Sequence, residues 1–220
     1  MLGIGHVRLG RMNHIGTFTK LQKYTPFVTS IWKQKLDIDN ETHKQIINYV
    51  YDLKQKNESN HISNQGGWQS PPIKQVDSSL KILFETMALV SEQVMFDLGL
   101  NDYVLSLESF WFNVNGKNNY NNAHIHTGSS LSGVVYLKMP ENGGRIKFDR
   151  GDNQMWSLPI ETDYSKNGTA DRCPAISIQP KELEYVLFPS SLQHSVEPNS
   201  SDDDRISMAI NCKLKCDNES

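Results

Sequence analysis

The sequence predicts an α+β, mainly β protein: a double-sheet jelly roll with two N-terminal helices on one face. Three observations predict it. Two stretches before residue 100 carry apolar residues at helical spacing. After residue 100 the period changes, and at least six short stretches alternate as strands. Turn chemistry separates these stretches. The chain is 37% hydrophobic and 21% charged, enough apolar content for a buried core, which excludes a disordered chain.

Residues 1–25 have weak periodicity and read as a basic leader, with one domain over 26–220. Residues 26–36 alternate as a strand with Pro26 at its first position, where proline is tolerated. Asp39 or Asn40 can cap a first helix, with Glu41 in its first turn and Ile46, Ile47, Val50 and Leu53 on its apolar face. Residues 57–76 are rich in Asn, Ser, Gly and Pro and read as a long loop. Asp77 starts a second helix, whose stripe is Leu80, Leu83, Met87, Val90, Val94 and Leu98, with Gly99 as its C-terminal cap. Strands are expected over 103–115, 131–139, 145–148, 175–178, 184–188 and 205–214. Residues 116–123 read as an Asn-rich loop, and 155–174 as an irregular insertion.

Charge and cysteine content narrow the function classes. Residues 1–36 carry six basic side chains and no acid, which reads as a solvated leader or as an arm for an acidic partner. The remaining 184 residues carry 16 basic and 25 acidic side chains, a net −9 that disfavours DNA as a partner. No run of 18 apolar residues suits a membrane span, and no apolar h-region suggests a signal peptide. Three cysteines are too few for a disulfide scaffold, so a reduced cytoplasmic setting is expected. Cys212 reads as core and Cys216 as a free thiol, while His6, His14, His43 and His61 read as surface residues.

The chemistry-bearing residues lie in the β-rich half. His124 and His126 flank Ile125, and in an extended segment they face one side while Ile125 turns to the core. A third ligand must come from elsewhere, and His194 is the best placed. Imidazole suits iron, zinc, copper and nickel. The bland alternative for a His-x-His pair is two polar residues satisfied by their neighbours. Arg205 and Ser207 share one face of the last strand, opposite Ile206, Met208 and Ile210. An interior guanidinium needs an anion, and a ligand carboxylate held bidentately would serve, with the Ser207 hydroxyl as a further donor. An ion pair with Asp202, Asp203 or Asp204 is the alternative. Trp111 and Asn113 share a strand face leading to the histidine pair, either as site residues or as ordinary lining.

The segments HIHTGSSLSGVVYL, GGRIKFD, LFPSSLQHSVEPN and RISMAIN together resemble the iron(II)/2-oxoglutarate-dependent oxygenases. More narrowly, they resemble the small putative 2OG-Fe(II) oxygenase family of bacteria and marine phages. GGWQS at 66–70 resembles that family's N-terminal half, and the likeness covers roughly residues 27–214. The resemblance implies a cupin-like double-stranded β-helix with Fe(II) between its sheets. It also implies 2-oxoglutarate and O2 as cosubstrates, and hydroxylation with release of succinate and carbon dioxide. Phage origin would place the protein in a host cytoplasm. By the same resemblance His124 and His194 are metal ligands, and Arg205, Ser207 and Tyr136 hold the distal carboxylate, Tyr136 having a core aromatic as its alternative role. Asn113 is a further candidate donor to a cosubstrate carboxylate.

His126 departs from the usual pattern of two histidines and a carboxylate. As a third ligand it would leave the iron site at a formal +2 rather than +1; alternatively, water completes the coordination. Asp149 has no positional support as a substitute. Two other readings remain: a three-histidine dioxygenase that does not use 2-oxoglutarate, and a non-catalytic metal-binding jelly roll. The prime substrate and the oligomeric state are not readable from the sequence.

Overall fold

The structure is a computed structural model that describes residues 29–73, 75–150 and 175–216. The expected leader at 1–25 and the insertion at 155–174 lie outside these residues. The described elements run β1 (Trp32–Lys35), α1 (Asn40–Lys56), β2 (Asn64–Gln65), β3 (Trp68–Gln69), a 3₁₀ turn (Ser78–Leu80), α2 (Lys81–Asp97), β4 (Tyr103–Asn115) and β5 (Tyr120–His124). They continue with β6 (Leu131–Lys138), β7 (Ile146–Asp149), β8 (Ala175–Ile178), β9 (Glu184–Pro189), β10 (His194–Val196) and β11 (Arg205–Cys216). No described helix is long and apolar enough to cross a membrane.

Asp39 caps α1, its Oδ1 accepting from the backbone N–H groups of Glu41 and Thr42, both at 2.9 Å. These bonds and the Thr42 hydroxyl hold the Asp39 carboxyl below its ordinary range, with the hydroxyl as the largest cause. Asp77 caps the 3₁₀ turn that leads into α2. At the other end of α2, Gly99 adopts φ +70, a conformation that favours glycine. Gly99 N–H donates to Phe96 O and Leu100 N–H to Met95 O, which closes the helix in a Schellman motif.

The strands form two antiparallel sheets. One has the order β1-β9-β6-β11-β4-β3, the other β2-β5-β10-β7-β8. Strand alternation divides the larger sheet's side chains between two cores. Phe110, Phe112, Val135, Leu137, Ile206, Met208 and Ile210 pack with α1 and α2 through Ile46, Val50, Leu83, Met87 and Val94. On the other face, Val134, Tyr136, Val186 and Phe188 meet Ile146 and Phe148 of the smaller sheet. The helices therefore cover one face, as expected, and leave the opposite face to enclose a site with the second sheet.

Four local expectations change. Residues 57–76 hold β2 and β3, and Ile73 bridges to Phe110. The second half of the Asn-rich segment 116–123 belongs to strand β5, because pairing with β2 and β10 overrides the poor strand propensity of asparagine. His43 is partly buried, its ring nitrogen within hydrogen-bond reach of Leu137 O, so it is no free surface residue. Leu98, expected on the apolar stripe, is 40% exposed because it sits at the turn that ends α2.

Candidate metal and cosubstrate site

His124 ends β5 and His194 begins β10, and the two are direct cross-strand partners. His126 lies two residues past His124, held by donation of its backbone N–H to Ser190 O at 2.9 Å. The ring centroids are 4.3 Å apart for His124 and His194, and 5.1 Å for each of the other two pairs. One ligand atom from each ring lies within 4.8 Å of the others. Ile125 does not turn into the core as expected; it is 48% exposed. The strand ends at His124, so the alternation no longer governs Ile125, and backbone anchoring rather than strand pleat brings His126 into the cluster.

The Nδ1 atoms settle the tautomers. His124 Nδ1 lies 2.7 Å from Asn122 O, His194 Nδ1 2.9 Å from Leu192 O, and His126 Nδ1 2.5 Å from Asn211 Oδ1. These three partners are carbonyl oxygens, and Ser132 Oγ, 3.1 Å from His126 Nδ1, can accept as well, so each Nδ1 carries the proton and each lone pair is left on Nε2. Burial lowers the basicity of all three rings and takes His194 down to about 3. Three neutral imidazoles offering three lone pairs suit a borderline divalent metal such as Fe(II). Asp149 is outside this cluster and pairs with Lys147 at 2.8 Å.

Arg205, Ser207, Asn113, Tyr136 and Trp111 line the same cavity as the three histidines. Three of these residues occupy one row across the larger sheet: Asn113 pairs with Ser207, and Ser207 pairs with Tyr136. Gln69 extends the row from the far side of Asn113. Arg205 is 1% exposed. Its Nη1 donates to Glu197 O at 2.9 Å and to Gly143 O. None of the three candidate aspartates neutralises it. Asp202 pairs with Lys117, Asp203 with Lys138, and Asp204 accepts from the Tyr51 hydroxyl. The ion-pair alternative for Arg205 is therefore excluded.

Among the described residues, Arg205 Nη2, Tyr136 OH and Asn113 Oδ1 are buried without a hydrogen-bond partner. Such atoms are rare, and three around one cavity mark the place of a polar ligand. Burial keeps the Tyr136 phenol protonated, hence a donor, against the opposing charge of Arg205. A guanidinium edge, a phenol and the Ser207 hydroxyl form a donor set that fits a carboxylate. Tyr136 is also part of the core between the sheets, the alternative expected for it.

Sequence reasoning missed Asn211 and Ser132, which contact His126. Asn211 continues the alternation Arg205, Ser207, Ala209, and that period was the available signal. It also missed Ser63 and Asn121, hydrogen-bonded to each other at 3.2 Å in the cavity wall. Cys212 is buried and Cys216 partly exposed, as expected. Burial raises the Cys212 thiol to about 12, which removes it as a nucleophile.

Residues 109–211 match the model of the family described as Putative 2OG-Fe(II) oxygenase, a span that contains all three histidines and Arg205. This stretch, just under half of the chain, is thus similar to the iron(II)- and 2-oxoglutarate-dependent oxygenases. Solved structures share the fold. A prolyl hydroxylase of Trichoplax adhaerens, in complex with a hypoxia inducible factor oxygen degradation domain peptide fragment, is 14% identical. The match covers 83% of each chain at a TM-score of 0.59. A prolyl-4-hydroxylase of Pseudomonas putida is 15% identical, with 84% of this chain and 92% of that chain covered at a TM-score of 0.54. The α-ketoglutarate-dependent epimerase SnoN from nogalamycin biosynthesis is 14% identical, with 84% and 78% covered at a TM-score of 0.61. A search of curated proteins finds no match.

Proposed function

We propose that the protein is a hydroxylase in which His124, His126 and His194 hold Fe(II), while Arg205, Tyr136 and Ser207 hold the distal carboxylate of 2-oxoglutarate. The observation that carries this reading is the sharing of one cavity by three neutral imidazoles and a buried guanidinium with an unpartnered Nη2. When bound, Fe(II) and 2-oxoglutarate supply the oxidation, in which O2 is consumed, succinate and carbon dioxide are released and a substrate C–H is hydroxylated.

The residues of this chain bind, orient and exclude water. Arg205 is fixed by two backbone carbonyls, so its free edge is already aimed when the carboxylate arrives. Tyr136 and Ser207 complete the donor set. Asn113 adds an amide that accepts through Oδ1, or donates through Nδ2 when turned about its last torsion. Val134, Ile146 and Phe188 form an apolar wall that limits water beside the charged groups. With three neutral ligands the metal keeps its full +2 charge, which strengthens its attraction for an anionic chelator. The free, buried Cys212 supports a reduced, cytoplasmic setting.

Anaerobic addition of 2-oxoglutarate to the Fe(II)-loaded protein tests the reading. The expected result is a weak visible charge-transfer band, followed by succinate on admission of air. Iron-loaded, folded protein that shows neither result sinks it. Oxygen uptake with a substrate but without 2-oxoglutarate would transfer the site to the three-histidine dioxygenase reading.

A further inference from the structure

We infer that Asn211 is a positioning residue that makes His126 a metal ligand, by fixing its ring in the Nδ1–H tautomer. The inference rests on the three-histidine centre proposed above. His124 and His194 fix their own tautomers locally, each through the backbone carbonyl two residues earlier. His126 does not. Its acceptor is a side chain 85 residues away on β11.

The Asn211 amide is placed with Oδ1 toward both His126 and Ser132. Ser132 Oγ donates to Asn211 Oδ1 at 2.9 Å, and Ser132 is the direct cross-strand partner of Asn211. Ser132 Oγ is also 2.7 Å from Ser190 Oγ, so Ser190 can supply the proton that Ser132 accepts. Asn211 Oδ1 thus receives the Ser132 hydroxyl on one lone pair and His126 Nδ1–H on the other. A ring with Nδ1 unprotonated would set two lone pairs against each other at 2.5 Å. Ser132 and Ser190 are fully buried, so water does not compete for these bonds. A register shift in the β4–β11 ladder falls immediately after Asn211, the kind of irregularity that re-aims a side chain beside a site.

The chemistry explains why an amide stands here. A carboxylate at position 126 would need a donor from its neighbour, whereas an imidazole needs an acceptor. Asparagine carries both, and its Oδ1 is the end presented to His126. An acceptor on the outer nitrogen of a ligating imidazole orients the ring and raises its basicity, and its loss typically weakens metal binding 10–100-fold.

The test uses the whole chain with Co(II) as probe, and ring-nitrogen NMR of the metal-free protein. In the wild type, His126 should show a protonated Nδ1 and a lone pair on Nε2. Co(II) should bind with visible d–d bands that His194→Ala abolishes. Asn211→Leu should lose the fixed His126 tautomer and weaken Co(II) binding about 10–100-fold, with the metal-free fold intact by circular dichroism. Asn211→Asp keeps the acceptor and adds a negative charge, so its Co(II) affinity should equal or exceed that of the wild type. Wild-type affinity and an unchanged His126 tautomer in Asn211→Leu would overturn the inference and leave the metal centre standing. If Asn211→Leu does not fold, weaker binding by Asn211→Asp than by wild type overturns it instead. Co(II) binding that does not depend on His194 removes the metal centre itself, and the inference with it.

Discussion

His194 stands directly opposite His124 in the ladder between β5 and β10, with their ring centroids 4.3 Å apart. Strand pairing, rather than a loop, thus joins two candidate ligands separated by 70 positions in the chain. On its other side His194 pairs with Phe148, and its ring packs edge-on against Phe188 at 4.6 Å. An imidazole so enclosed is already in place before metal arrives, and binding should report as stabilisation of the folded state. Mn(II) at 100 times its dissociation constant should add about 2.7 kcal/mol, or roughly 5–11 °C in melting temperature for a domain of this size. Differential scanning calorimetry measures this directly. An equal shift in His124→Ala would show that the metal binds elsewhere.

Arg205 should matter to the cosubstrate and not to the metal. Its Nη1 is committed to Gly143 O and Glu197 O, while its Nη2 has no partner. Lysine cannot satisfy two carbonyls and also present a planar edge to a carboxylate. Arg205→Lys should lose one charge-assisted bond, about 1.5–3 kcal/mol, and bind 2-oxoglutarate roughly 10–150-fold more weakly. Titration calorimetry with Mn(II)-loaded protein measures this loss, while Mn(II) affinity itself should hold. Unchanged 2-oxoglutarate affinity would remove Arg205 from the cosubstrate site.

Strands β4 and β11 were readable because each carries its own alternation over twelve or more residues, and β6 because it is a short apolar run buried on both faces. The same alternation placed Arg205 and Ser207 opposite Ile206 and Met208. β5 and β10 were not readable. One is five residues rich in asparagine and the other three residues long, so only their pairing makes them strands. The histidines were legible as residue types at a spacing, yet the strand-pleat argument for His126 fails at the exposed Ile125. The Nδ1 acceptor of His126 and the Gly143 carbonyl that holds Arg205 come from contacts distant in sequence, which no local pattern encodes.

Gly144 lies where the turn at 140–144 meets the Arg205 guanidinium. Its φ is +84, and an added Cβ would meet Glu197 O at 2.6 Å, Pro198 O at 2.8 Å and Arg205 Nη1 at 2.9 Å. Two of these obstacles are backbone carbonyls, so relief must come from a shift of the loop or of Arg205. Gly144→Ala should therefore destabilise the fold by about 1–3 kcal/mol, from the overpacking and the left-handed backbone. It should also weaken 2-oxoglutarate binding while sparing Mn(II) binding. Urea unfolding and titration calorimetry read the two effects. A variant as stable as wild type would mean that this contact is slack.

Acid should destabilise the metal-free protein through the same rings that favour metal. Burial lowers the basicity of all three histidines in the folded state, His194 to about 3. An unfolded histidine titrates near 6.5. Below that pH the unfolded chain takes up protons that the folded chain refuses, so stability is full above about 6.5 and falls as the pH drops toward the folded value. For His194 alone the slope approaches about 1.4 kcal/mol per pH unit. Carboxylates contribute at lower pH, so the informative quantity is the difference between wild type and His194→Gln, followed by urea unfolding from pH 7.5 to 5. The wild type should lose stability faster by nearly one proton's worth of slope. Parallel curves for the two proteins would show that His194 takes up a proton in the folded state as readily as in the unfolded chain.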